Sequence, residues 1–178
     1  IDRDITFIRF TANHGKRCAL RAGFRRARGE IVVTTDSDCR LDPDTLCNLI
    51  APLIREQAIG AVAGCVRPDR RQAGWIPRLL EAPFAISFEC DRAVQSRLES
   101  VLCVPGAAAA YRKALLFAVL DDWCPPDASY NARRVGEDRE LTNRLVLAGW
   151  RAVYQRSAAV QTRLPRTVAG LAKVFLRW

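Results

Sequence analysis

The sequence contains a single histidine, His14, and no methionine, and none of its seven cysteines forms a Cys-x-x-Cys pair. Structural zinc sites are built from cysteine and histidine at short spacings, and serine or cysteine triads need a histidine beside the nucleophile. No nucleophile motif accompanies His14. These scarcities argue against a zinc site and against triad-type hydrolysis, and they favour reduced, cytosol-facing thiols.

Long hydrophobic runs are also missing. The closest approach, residues 101–120, is interrupted by a proline, a glycine and two basic residues, so the sequence predicts no bilayer span. A hydrophobic content of 49% is ordinary for a globular protein, and 178 residues suit one domain, residues 1–178. The first residues resemble a strand in progress and the last an unfinished helix. We therefore expect a partial domain, truncated at both ends, from a longer polypeptide.

Lysine is scarce as well, because only three of the 28 basic residues are lysine, and the formal net charge is +9. Such a charge suggests nucleic acid as a partner. The arginines are scattered, however, and no aromatic platform for a single strand accompanies them. An anionic nucleotide or membrane surface would tolerate the same charge. We therefore expect no nucleic-acid partner, and a non-catalytic basic binding module remains an alternative.

Apolar runs alternate with helical patterns along the whole chain. The predicted strands are residues 5–10, 31–35, 59–66, 101–104 and 151–160. The predicted helices are residues 15–27, 43–54, 75–98, 112–120, 136–148 and 167–178, the second with Asp42 as its N-cap. This alternation predicts an α/β fold with a doubly wound, mostly parallel sheet flanked by helices. Because the first unit has already begun at residue 1, we expect the N-terminal βαβ part to be missing.

Two aspartates, Asp36 and Asp38, follow the β-branched run 31–35, which reads as a buried strand. Open α/β sheets bind their ligands at the carboxyl ends of strands. Residues i and i+2 of an extended chain project to the same side, so both carboxylates can face one cation. Oxygen pairs suit Mg²⁺ or Mn²⁺ shared with substrate phosphates. The alternative is an ordinary turn, because aspartate and serine are common in turns.

Two further positions carry candidate chemistry. Lys16 precedes a predicted helix in Asn-His-Gly-Lys, where helix N–H groups and an ammonium favour a phosphate; a capped turn with a solvated lysine is the alternative. Glu137 and Asp138 open the helix Gly-Glu-Asp-Arg-Glu-Leu-Thr-Asn, where acids complement the helix dipole even without a function. The functional hypothesis makes Asp138 a general base. Burial and Glu137 would raise its pKa, while the helix dipole would lower it.

Five short motifs occur in a fixed order: Asn-x-Gly-Lys-Arg, Asp-Ser-Asp, Gly106 with Tyr111-Arg112, Gly-Glu-Asp-Arg-x-Leu-Thr-Asn and Arg-Trp. In this combination the chain resembles the processive inverting GT-A glycosyltransferases. Within that group it looks most like the hyaluronan synthases, the chitin synthases and the rhizobial chitin-oligosaccharide synthases. The resemblance implies transfer of a sugar from a UDP-sugar to the hydroxyl of a growing β-linked polysaccharide, with N-acetylglucosamine as the expected sugar. It also implies Mg²⁺ or Mn²⁺ and a saccharide acceptor.

The resemblance assigns roles by motif. The implied donor-binding residues are Lys16, Asp36, Asp38 and Arg177, of which the two aspartates are the metal ligands. The implied acceptor-binding residues are Cys103, Gly106, Glu137, Arg139 and Trp178. Asp138 is the implied catalytic base. Such enzymes continue into membrane helices, which implies a cell-membrane protein whose catalytic domain faces the cytoplasm through segments absent from this chain.

Two departures from the family pattern bear on the product. Val174 stands where the family's Gln-x-x-Arg-Trp motif has glutamine, and residues 105–110 replace a Ser-Gly-Pro-like turn. Both changes leave open a non-processive transferase that acts on a lipid or a short saccharide. The family's uridine-binding acid would lie upstream of residue 1.

Overall fold

The computed structural model describes residues 5–69, 71–72, 74–125 and 136–175. The helices are α1 (Gly15–Arg26), α2 (Thr45–Arg55), α3 (Trp75–Ala85), α4 (Arg92–Arg97), α5 (Lys113–Trp123), α6 (Glu137–Leu147) and α7 (Val168–Phe175). A π-helical stretch, Ile86–Asp91, joins α3 to α4. The strands are β1 (Ile31–Thr34), β2 (Cys39–Leu41), β3 (Ile59–Pro68), β4 (Ala109–Arg112) and β5 (Arg151–Thr162).

The five strands form one sheet in the order β1-β4-β3-β5-β2. β3 and β5 pair in parallel, whereas β4 is antiparallel to both its neighbours and β2 is antiparallel to β5. The predicted α/β class with flanking helices is confirmed, and β1, β3 and β5 share one direction. Most neighbouring pairs are nevertheless antiparallel. The sequence did not reveal this, because a buried apolar strand has the same composition whichever way its neighbours run.

Helices cover both faces of the sheet. On one face, α1, α5 and α6 pack through Phe24, Leu116, Trp123 and Leu145 onto strands that include Tyr111. Each of these side chains is at most 2% exposed. Truncating a buried leucine of this kind to alanine costs about 2–5 kcal/mol of stability, so this layer holds α6 firmly on the sheet.

The opposite face is covered by α2. Leu49 and Leu53 pack there against Val62 of β3 and Ala110 of β4. The predicted start of this helix was wrong by two residues, since α2 begins at Thr45. The Asp42 carboxylate does not cap the helix because it accepts a hydrogen bond from the Gln161 side chain at 3.0 Å.

Two predicted strands are wrong. Residues 5–10 form no strand and pair with none of the described strands, and Ile5 and Phe7 are 84% and 85% exposed. Residues 101–104 are irregular although Val101 and Val104 are buried, and the strand lies further on, in β4. Residues 5–10 therefore have the alternating apolar pattern of a strand but lack the neighbouring strand with which it would have to pair.

The helical region predicted at residues 75–98 is present as α3, the π-helical stretch and α4. Phe88 of the π-helical stretch is buried and stacks on Phe84. The Arg92 guanidinium lies over the Phe88 ring, 4.0 Å from the ring centroid. Among the helices that the structure describes, none has the length and apolar content needed to cross a membrane.

Candidate active site

The first turn of α6 is the centre of the site. Gly136, just before the helix, has a φ of +87°, a left-handed conformation that glycine adopts without strain. Glu137, Asp138 and Glu140 follow in the first turn, where carboxylates are favoured by the helix dipole. The Trp123 indole N–H donates to the Glu137 carbonyl at 3.2 Å and ties this turn to the end of α5.

Gly106 touches the Asp138 carboxylate directly. Its backbone N–H donates to Asp138 Oδ2 at 2.8 Å. A Cβ atom at position 106 would lie 2.9 Å from Asp138 Oδ1 and 3.2 Å from Lys16 Nζ. The site therefore has no room for a side chain at this position, which gives the glycine of the third motif a physical reason.

Lys16, in the first turn of α1, bridges two other segments of the site. Its Nζ lies 3.1 Å from Asp36 Oδ1 and 3.2 Å from Glu137 Oε1. Burial lowers the pKa of Lys16, but the charges of Asp138, Asp36 and Glu137 outweigh it and raise the pKa overall. The ammonium is therefore positive at any working pH and lies between the end of β1 and the start of α6.

The Asp138 carboxyl is half-buried, and its pKa is raised above the ordinary aspartate value. Burial is the main cause, and Glu137 and Asp36 add to it through their negative charge. Lys16 and the Gly106 N–H oppose the shift because they stabilise the carboxylate. A carboxyl group whose pKa moves towards neutrality is better suited to accept a proton than an exposed aspartate.

Asp36 and Asp38 do not continue an extended strand. The Cys39 N–H donates to the Asp36 carbonyl at 3.1 Å, which closes a turn between β1 and β2. Asp36 and Asp38 therefore do not lie at i and i+2 of an extended strand, so the predicted extended pair is wrong and the alternative of a turn is present. Both nonetheless lie near the Cys39 thiol, whose pKa is raised by burial first and then by the charges of Asp38 and Asp36.

The two aspartates differ in their surroundings. Asp36 is half-buried and paired with Lys16, while Asp38 is exposed, with Oδ1 3.7 Å from Cys39 Sγ. Among the described residues, no group of three or more histidine, cysteine, aspartate or glutamate side chains is arranged to hold a metal ion.

Within the described residues, four of the five predicted acceptor residues lie around Asp138. Cys103 is half-buried, and its carbonyl accepts a hydrogen bond from Arg92 Nε at 3.4 Å. Burial raises the pKa of the Cys103 thiol, the charge of Asp138 raises it further, and Arg92 and Arg139 oppose the shift. Arg139 is exposed, and Glu137 is engaged by Lys16. Arg177 and Trp178 lie outside the described residues.

Arg17 is a residue of the site that was not predicted from the sequence. Its side chain is 3% exposed, with Nη2 2.6 Å from Glu140 Oε2 and Nη1 donating to the Trp123 carbonyl at 2.9 Å. Arg17 therefore anchors α1 to α5 and α6 immediately beside Lys16. Its spacing from the buried Phe24 places both residues on one helix face, and that was the available signal.

The fold is that of the GT-A glycosyltransferases. A mannosyltransferase from Pyrobaculum calidifontis, solved in complex with GDP-Man and Mn²⁺, matches 97% of this chain with a TM-score of 0.68 and 23% sequence identity, over 44% of its own length. At this identity the likeness establishes the fold. The chain belongs to the glycosyltransferase-like family 2, whose model matches residues 1–178.

Curated relatives within the rhizobia are more similar in sequence. An N-acetylglucosaminyltransferase from Mesorhizobium japonicum is 33% identical over 177 residues, which is 99% of this chain and 42% of the relative. An N-acetylglucosaminyltransferase from Rhizobium sp. strain N33 is also 33% identical over 177 residues, covering 39% of that relative. This chain therefore spans less than half the length of these relatives.

Proposed function

We propose that this chain is the catalytic domain of an inverting glycosyltransferase that moves N-acetylglucosamine from UDP-N-acetylglucosamine to a hydroxyl of a β-linked saccharide. The observation that carries the proposal is the Asp138 carboxylate, half-buried in the first turn of α6 and bound by the Gly106 N–H at 2.8 Å. Family membership and the names of the rhizobial relatives support the donor sugar.

Asp138 would act as the general base. It would take the proton from the acceptor hydroxyl while that oxygen attacks the anomeric carbon from the side opposite the diphosphate. The new glycosidic bond forms as the bond from the anomeric carbon to the phosphate oxygen breaks, and UDP leaves with the electron pair. One displacement of this kind inverts the anomeric centre, so an α-linked donor gives a β-linked product.

Lys16 would bind the diphosphate. The Lys16 side chain is 33% exposed, and its ammonium, at the start of α1, is held by Asp36 and Glu137. The first turn of α1 carries no acidic residue, and helix N-terminal N–H groups favour a phosphate. As negative charge develops on the leaving UDP, a fixed ammonium beside it stabilises the transition state.

The turn residues Asp36 and Asp38 fit a divalent cation that is shared with the diphosphate. Two carboxylates near one another suit Mg²⁺ or Mn²⁺, which keep several water and phosphate ligands in such sites. When bound, the ion would neutralise the diphosphate and make it a better leaving group. Asp38 is the more accessible of the two, because Asp36 is already paired with Lys16.

The acceptor would approach from the side of Cys103 and Arg139, which lie within electrostatic range of one another and of Asp138. The assignments of Arg177 to the diphosphate and of Trp178 to the acceptor remain proposals, as does attachment of the full-length protein to the cytoplasmic side of the cell membrane. No nucleic acid takes part in this proposal.

A donor panel on the full-length protein tests the function. We expect transfer from UDP-N-acetylglucosamine with Mn²⁺ or Mg²⁺, release of UDP and a β-linked product, and little transfer from UDP-glucose or UDP-galactose. A product with an α-linkage, or no transfer from any UDP-sugar, would contradict the proposal. Product length separates a processive synthase from a single-transfer enzyme. Val174, which stands where the family motif has glutamine, favours the single-transfer enzyme.

A further inference from the structure

Thr142 is a buried polar residue one helical turn beyond Asp138. Its side chain is 0% exposed. Its hydroxyl donates to the Asp138 carbonyl at 2.7 Å and accepts a hydrogen bond from the Val104 N–H at 2.9 Å. Both the donor and an acceptor position of the hydroxyl are therefore used.

The segment 103–106 is held on α6 by two bonds of different kinds. Val104 is 0% exposed, so its N–H cannot turn to water and depends on the Thr142 hydroxyl. Two residues later the Gly106 N–H binds the Asp138 carboxylate. The Thr142 hydroxyl and the Asp138 carboxylate lie one turn apart on α6. They accept hydrogen bonds from the N–H groups of Val104 and Gly106, which are two residues apart in the segment.

We infer that Thr142 is a positioning residue for sugar transfer, because its hydroxyl fixes the segment 103–106 on α6 and so holds the Gly106 N–H against the Asp138 carboxylate. This inference rests on the proposed function, in which Asp138 removes the acceptor proton. A bond from Arg92 Nε of α4 to the Cys103 carbonyl also reaches this segment, but it is longer, at 3.4 Å. Thr142 therefore supplies the shorter bond, and it comes from the helix that carries the base.

The expected effect falls on the chemical step. Without the hydroxyl, residues 103–106 can move away from α6, and the Asp138 carboxylate loses the support that fixes its direction. A displacement of about 1 Å in a reacting group costs on the order of 100-fold in rate. Donor binding should change little, because Lys16 and Asp36 come from α1 and the end of β1 and make no contact through Thr142.

The test compares three variants of the full-length protein. Thr142→Val removes the hydroxyl at nearly constant volume, and Thr142→Ser keeps the hydroxyl. The matched control is Thr45→Val, because Thr45 is also buried and its hydroxyl also donates to a carbonyl, that of Ala159, but it lies at the start of α2. Steady-state transfer gives kcat and the donor KM, and amide hydrogen exchange follows the peptide 101–108.

We expect Thr142→Val to lower kcat by about 10- to 100-fold with an unchanged donor KM, and to speed exchange in peptide 101–108. Thr142→Ser should restore both quantities, and Thr45→Val should alter neither. Unchanged exchange in Thr142→Val, or a Thr142→Ser variant as impaired as Thr142→Val, would overturn the inference. If the wild-type protein transfers no sugar, the proposed function fails, while the exchange data still decide whether Thr142 holds the segment.

Discussion

The two acidic parts of the site are built differently. Asp138 is half-buried, accepts the Gly106 N–H and lies on a helix that is anchored by Arg17, Trp123 and the core of one sheet face. Asp38 lies in an exposed turn between two strands, with its Oδ1 3.7 Å from the Cys39 thiol. Asp36 is intermediate between these two cases, because it lies in the same exposed turn as Asp38 but its carboxylate pairs with Lys16.

In the proposed function, this contrast separates the residue that would remove the proton from the residues that would bind the cation. The Asp138 carboxylate is held by the protein itself, and a base fixed in advance lowers the cost of reaching the transition state. Among the described residues, no group of three or more potential metal ligands surrounds Asp36 and Asp38, and the proposed function assigns the remaining ligands to the diphosphate and water. Substitutions on the two sides should therefore have different kinetic signatures.

The largest effect is expected for Asp138→Asn. The amide cannot accept the acceptor proton, so kcat should fall by about 10²–10⁴-fold while UDP binding is retained. Transfer and UDP titration on the same preparation measure both quantities. Asp122→Asn, an exposed carboxylate on α5, is the control and should leave both unchanged. Unimpaired transfer in Asp138→Asn would assign the base to another group.

Gly106→Ala tests how closely the base is enclosed. The new Cβ would lie 2.9 Å from Asp138 Oδ1, so the carboxylate or the segment must shift, and we expect kcat to fall by roughly 100-fold. The control is Gly23→Ala, because a Cβ at position 23 in α1 meets nothing within 4 Å. That control should keep its activity and gain up to about 1 kcal/mol of stability. Full activity in Gly106→Ala would show that the enclosure is not needed.

Asp38→Asn probes the open side. We expect affinity for UDP in the presence of Mn²⁺ to fall by at least about tenfold, because a weaker metal ligand replaces a carboxylate. Binding of UDP without metal should not change. Asp44→Asn, an exposed aspartate at the start of α2, serves as the control. Equal loss of affinity with and without Mn²⁺ would contradict the assignment of Asp38 to a metal.

Lys16→Met should weaken diphosphate binding, and beyond that loss the smallest change we expect is a displacement of its pH profile. Burial raises the pKa of Asp138 and Lys16 opposes the rise, so removing the ammonium should raise that pKa further. A base with a higher pKa loses its proton only at higher pH. The acid limb of kcat/KM should therefore move to higher pH, and an unchanged limb would count against the coupling. Lys113→Met is the control, because Lys113 lies on α5 beside Phe117.

The polar motifs were the most predictable part of the site. Lys16, Asp36, Glu137 and Asp138 lie together as their positions at helix starts and at a strand end suggested, because such ends meet at one edge of an α/β sheet. Their roles in catalysis remain predictions. The turn at Asp36 was harder to predict, because the aspartate and serine residues that favour a turn also fit an extended metal-binding pair.

The supporting contacts could not be predicted. The Gly106–Asp138 and Thr142–Val104 bonds join residues far apart in sequence, and no local pattern encodes such pairs. The direction of β4 was hidden for a related reason, because its alanines suit either pairing. Local periodicity identified most helices. Whether residues 5–10 and 101–104 form strands depends instead on the partners that the tertiary fold offers them.

The bridging position of Lys16 has a consequence for how the protein matures. Its partners come from the end of β1 and the start of α6, and the chain between them must form the sheet before the three segments can meet. Closing loops of this length costs entropy that only the completed core repays. Nascent or partly denatured molecules should therefore lack the cluster of Lys16, Asp36 and Glu137, and with it the proposed activity.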